Sequence, residues 1–380
     1  MWHEFCHALL IAATWFPEFP FAHSAGDSLA AIDSDPESLL SSHGHWRGVT
    51  FPWIAEPMRR HDRRASDGWG WFGRLYEALD YPSLDDPGGY RAEQVLSSTL
   101  FRLYRAAGGD SGRPESPHVA ARRDAADYVI YLIVRAIAQL GDSGAVPALD
   151  PADFALAMME ADVATVRFSR TGHRERPGGT LHKVIRWAFE TQGLYQPMGA
   201  EYPQDGPGAP EKVDVYIEDE RGRAGTYDYT DHWAASPSAM WVRAQPDGLA
   251  DDQAPDPGQA NFVYVVVSNR GSESADDTEV QLFAHKSNAV RTWPDGWDSL
   301  KAASGAVTRA TIAPGTDRRF GPFEWPVPTS GEAALLAVAS TAGDPANIDV
   351  TGGLACAAGP TRIVDLVPND NNLGFRRWKL

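Results

Sequence analysis

The feature that most constrains this chain lies at its start, where His3-Glu4-Phe5-Cys6-His7-Ala8-Leu9-Leu10 heads an apolar, helix-forming run. It reads H-E-x-x-H. Residues four apart lie on one face of an α-helix, about one turn from each other, so a helix here presents His3 and His7 to a single point. Glu4 stands one step round. Two neutral imidazoles, a carboxylate base and a metal that makes water acidic enough to attack at neutral pH form one chemical unit, and Zn2+ is the expected ion. The pattern arises by accident in roughly one or two per cent of chains this long, so a third ligand is needed to give it weight.

A second helix-like run, His23-Ser24-Ala25-Gly26-Asp27-Ser28-Leu29-Ala30-Ala31-Ile32, supplies candidates. Asp27 follows His7 at the spacing H-E-x-x-H-x19-acid. This layout resembles the thermolysin-type and fungalysin-type zinc metallopeptidases, whose third ligand at this spacing is Glu. The resemblance implies Zn2+ held by His3, His7 and Asp27, with Glu4 as general base and a peptide or protein as substrate. It departs from those families in two ways. Asp27 is one methylene shorter than Glu, and the Asp that orients a His ligand four residues further on is here Ala31. Asp33 and Asp35 are candidates for that orienting part, and His23 is the rival third ligand.

The chain has 380 residues, too long for one ordinary core, so more than one domain is expected. A net charge of −17 without a basic patch argues against a nucleic-acid partner. No apolar run reaches the length of a membrane span. Cys6 and Cys356 sit near opposite ends and imply no disulfide framework; Cys6 is read as a small packed residue facing away from the metal. Only Met1 and Trp2 precede His3, and a ligand in a first turn is poorly held. The β-rich lobe that precedes this helix in thermolysin-like enzymes is not recognisable, nor is a signal peptide. A truncated N-terminus is therefore expected, with an extracellular site for a full-length form. Oligomeric state is left open.

Residues 36–89 read as long loops rich in Pro, Gly and Trp. Arg59-Arg60-His61-Asp62-Arg63-Arg64 reads as a solvated face, and His43, His45 and His61 as surface histidines. A helix opens at Gly88-Gly89-Tyr90-Arg91, with Val95, Leu96, Thr99, Leu100, Leu103 and Tyr104 at helical spacing, and Gly108-Gly109 ends it. By the fungalysin-like resemblance, Tyr90 stands where those enzymes carry a His that donates to an oxyanion, and Arg91 is the alternative donor; without it, both are helix-start residues. Further helices are expected over 124–140, after Asp150-Pro151, and from about Thr180 to a stop near Gly193. The resemblance extends over residues 1–195.

Pro and Gly crowd the stretch 197–210, and a short strand follows at Val213–Ile217. From Asn261 onward, β-rich runs separated by Gly, Pro, Asn and Asp suggest an immunoglobulin-like sandwich, with Trp293, Trp297 and Trp325 in its packing. The expected fold class is multidomain α + β. A mainly helical, metallopeptidase-like lobe covers 1–200, a connector 201–260 and an all-β immunoglobulin-like sandwich 261–380. Two functions follow. One is a zinc-dependent peptidase with Glu4 as general base. The other is a catalytically inactive, peptidase-like protein that acts as a binding or adhesion module through its sandwich. Glu4 discriminates between them, because only the chemistry demands it.

Overall fold

The computed structural model of the chain describes residues 1–14, 22–38, 46–51, 59–67, 69–70, 90–113, 116–142, 151–172, 175–195, 211–219, 225–230, 238–286, 292–348 and 360–380. The chain is mixed α and β and divides into two compact units, Met1–Ala209 and Pro210–Leu380.

The first unit is built on helices: α1 (Trp2–Thr14), α2 (Ala22–Ser34), α3 (Tyr90–Tyr104), α4 (Val119–Asp142), α5 (Pro151–Ala164) and α6 (His182–Thr191). Each buries the stripe its spacing dictates. In α3 the residues Val95, Leu96, Thr99, Leu100, Leu103 and Tyr104 are all buried. In α4 the buried stripe includes Ala125, Val129, Leu132, Ile133, Ala136 and Ile137. Each fully buried aliphatic side chain of this kind contributes about 1.5–3 kcal/mol. The expected stop after α6 is a Schellman motif: Leu194 N–H reaches Phe189 O and Gly193 N–H reaches Glu190 O, both at 2.8 Å. Gly193 has φ 76°, a conformation that favours glycine there.

Short strands connect these helices. A hairpin pairs β1 (Val49–Thr50) with β2 (Arg59–Arg60), placing Val49 opposite Arg60 and Thr50 opposite Arg59. Two further hairpins are β3 (Gly112–Arg113) with β4 (Ser116–Pro117), and β5 (Arg167–Phe168) with β6 (Arg176–Pro177).

The second unit is antiparallel β. It contains β7 (Val215–Tyr216), β8 (Met240–Arg243), β9 (Ala260–Asn269), β10 (Ala275–His285), β11 (Thr292–Trp293), β12 (Trp297–Ser299), β13 (Lys301–Val307), β14 (Arg309–Ile312), β15 (Asp317–Pro326), β16 (Glu332–Ser340), β17 (Thr361–Arg362) and β18 (Leu373–Lys379). One sheet runs β13-β15-β9-β7, with β8 also on β9; the other runs β12-β10-β16-β18, with β14 also on β10. Alternate residues of both sheets meet in one core, among them Val263, Val265, Val267 and Trp325 from the first and Val280, Leu282, Leu335 and Ala337 from the second. The other face of β16, with Ala334, Leu336 and Val338, is covered by a second cluster holding Trp293, Ile363, Leu366 and Phe375. Trp297 packs against that cluster.

The connector expected over 201–260 carries one short strand, at Val213–Ile217. The unit boundary falls at Ala209/Pro210, and β7 and β8 pair with β9 as strands of the β unit. The apolar residues of Met240-Trp241-Val242 are buried in that unit, which the surrounding Pro, Gly and Asp disguise in the sequence. His43 and His45 lie outside the described residues.

Candidate metal centre

The site is assembled by α1, α2 and the β1–β2 hairpin. On α1, Cys6 and Leu10 turn inward at 1% exposure each. Burial pushes the Cys6 thiol up to about 12, so it stays protonated and inert, facing the core as expected. His3 and His7, one turn apart, are half-buried on a neighbouring face. Their Nε2 atoms are 3.1 Å apart and their rings cross at 77°. Glu4 is exposed beside them.

Helix α2 comes close to His3 because Gly26 permits it. A Cβ at that position would lie 3.0 Å from the His3 carbonyl oxygen and 3.1 Å from its Nδ1. The next residue, Asp27, is 3% exposed. Its Oδ1 is 2.9 Å from His3 Nδ1, and Arg59 Nη1 donates to both carboxylate oxygens at 3.2 Å. Burial alone would raise the Asp27 pKa. The His3 hydrogen bond and the charges of His61, Arg59 and His3 outweigh it and hold the carboxyl below its usual range.

The spacing argument set Asp27 beside the two ligand nitrogens. In the structure its carboxylate meets the opposite edge of the His3 ring. Neither Asp33 nor Asp35 meets a histidine of the motif: Asp33 accepts from Trp2 Nε1 and Arg123, and Asp35 from Arg47 and Tyr104. Ala31 is buried. His23 lies on α2 one turn before Asp27; its side chain, like those of Tyr90 and Arg91 at the start of α3, is outside the described residues. Among the described residues no group of three His, Cys, Asp or Glu side chains is arranged to hold a metal ion.

The pair is tested against zinc by its own geometry. Two nitrogens bound tetrahedrally at about 2.0–2.1 Å from one zinc stand roughly 3.3 Å apart. The 3.1 Å between His3 Nε2 and His7 Nε2 is near that edge and is equally the length of the hydrogen bond that joins the two rings. A carboxylate on Nδ1 holds the Nδ1–H tautomer and leaves the Nε2 lone pair toward His7. Two imidazoles alone do not make a zinc site, and the described residues supply no third ligand.

The run 59–64 is solvated only in part: Asp62 and Arg64 are exposed, and the other four residues are buried or half-buried. Arg59 pairs with Asp27 and lies 5.2 Å from the centre of the Phe51 ring, Arg60 pairs with Asp62, and Arg63 lies over Trp69. His61 is buried at 1% exposure, not on the surface. Its Nε2 meets Thr50 Oγ1 at 3.0 Å and its Nδ1 meets Ser97 Oγ at 2.7 Å. Burial lowers its pKa to about 4, so it is neutral near pH 7. A charge run reads as solvated because sequence does not reveal that β2 packs on α3. Gly26 had one signal, a glycine inside an Ala- and Leu-rich helical run.

No protein-family profile matches the chain, and no curated protein does. Among solved structures, the CARDB domain of a Pyrococcus furiosus protein, in complex with di-metal ions, is similar at 11% identity and a TM-score of 0.23, over 45% of this chain and 90% of that one. The sporulation control protein Spo0M of Bacillus subtilis matches at 22% identity and a TM-score of 0.16, over 28% and 44%. A crustacean hemolymph-type prophenoloxidase matches at 11% and 0.24, over 91% and 52%. Likenesses this distant carry no argument about function.

Proposed function

We propose that this chain is a zinc-dependent hydrolase of peptide bonds, with His3 and His7 as ligands and Glu4 as general base. The observation that carries the reading is the convergence of the two Nε2 atoms with a buried carboxylate on the far nitrogen of His3. We further propose that Asp27 orients His3 instead of binding the ion, and that His23, one turn earlier on α2, is the third protein ligand. When bound, zinc supplies Lewis acidity, lowering the pKa of a water and polarising a carbonyl.

The chain's own residues do the rest. Asp27 accepts a hydrogen bond from His3 Nδ1–H and so fixes both tautomer and ring orientation. Glu4, in contact with solvent, takes the proton of the attacking water and returns it to the leaving amine. Tyr90 or Arg91, opening α3, donates to the developing oxyanion. The buried aliphatic core of α1 and α2 keeps the two helices in register. The immunoglobulin-like reading of the β unit is part of this proposal. It rests on two antiparallel sheets that enclose one core.

Elemental analysis of the zinc-loaded chain tests the ligands. The expected content is about one zinc per chain, lost in His7→Ala and His23→Ala and retained in Glu4→Gln. Glu4→Gln is expected to abolish peptide hydrolysis. A wild-type chain that takes up no zinc, or a His7→Ala variant that binds as wild type does, overturns the metal reading. Undiminished turnover in Glu4→Gln overturns the role of Glu4 and leaves the alternative of a zinc-carrying binding module.

A further inference from the structure

We draw no further inference here: the strongest candidate, the buried and unpaired Nε1 of Trp297, Nε of Arg362 and side-chain amide of Asn347 beside the second apolar cluster of the β unit, carries no ligand, because nothing in the structure brings these atoms to one cavity or shows what would meet them.

Discussion

Asp27 and Asp35 are both buried, close together along α2 and the turn that follows it, yet the protein treats them differently. Asp35 is held by Arg47, with Nε to Oδ1 at 3.0 Å and Nη2 to Oδ2 at 2.9 Å, and by the Tyr104 hydroxyl at 2.8 Å. Arg47 also reaches Asp110 and the Gly109 carbonyl. Burial and the Asp35 charge push the Tyr104 phenol far up, and burial notwithstanding, the carboxylates keep Arg47 firmly charged. Every group there has a partner of opposite character, which is how a buried polar cluster specifies a packing. Asp27 has one such partner, Arg59, and spends its other contact on an imidazole. The far nitrogen of that ring lies 3.1 Å from Nε2 of a second imidazole, His7.

The largest test of this contrast is Arg47→Ala. It strands Asp35 and is expected to cost about 3–5 kcal/mol in urea unfolding, with zinc uptake intact wherever the variant folds. A loss below about 1 kcal/mol would make the Asp35 cluster as dispensable as a surface pair.

The next test concerns His61, beneath the Asp27 side. Its folded pKa, about 4, lies below the unfolded value near 6.5. The unfolded chain therefore binds the extra proton first, and stability falls as the pH drops from about 6.5 to 4; it is fully present above that window. The span corresponds to about 3 kcal/mol. Unfolding free energies against pH should show that slope, and His61→Asn should flatten it. An unchanged slope would remove His61 from the support of the site.

The smallest expected effect is that of Gly26→Ala. Helix propensity gains about 1 kcal/mol, set against a methyl pressed on His3. Net stability should change by less than about 1 kcal/mol while zinc affinity falls. Unchanged affinity would mean that α1 and α2 tolerate a wider separation than the Asp27 contact implies.

What could be read in the sequence followed local rules. The pairing of His3 with His7 is a consequence of helical period, and the start of α3 at Tyr90 and the αL glycine after α6 are end signals. The face of α2 that carries Asp27 was legible too. Which nitrogen of His3 it meets was not, because that depends on how closely two helices approach, and Gly26 sets the distance. Arg59 and His61 were misread for the same reason: a charge run has one appearance on a surface and under a hairpin. In the β unit, β9, β10, β15 and β16 stood out by composition. The short strand β7 lies within the strand expected at Val213–Ile217, whereas β8 did not stand out, since its pairing with β9 is fixed by a partner distant in sequence.

The position of β16 has a consequence for solubility. Its Ala333-Ala334-Leu335-Leu336-Ala337-Val338-Ala339 run is uncharged, proline-free and buried on both faces. One of its edges is sealed by β10 and the other by β18, which brings Arg376, Arg377 and Lys379. Such a segment is an aggregation template once an edge opens, and a basic outer strand is a gatekeeper against it. Removing β18 should therefore leave an open apolar edge along which the chain assembles with itself.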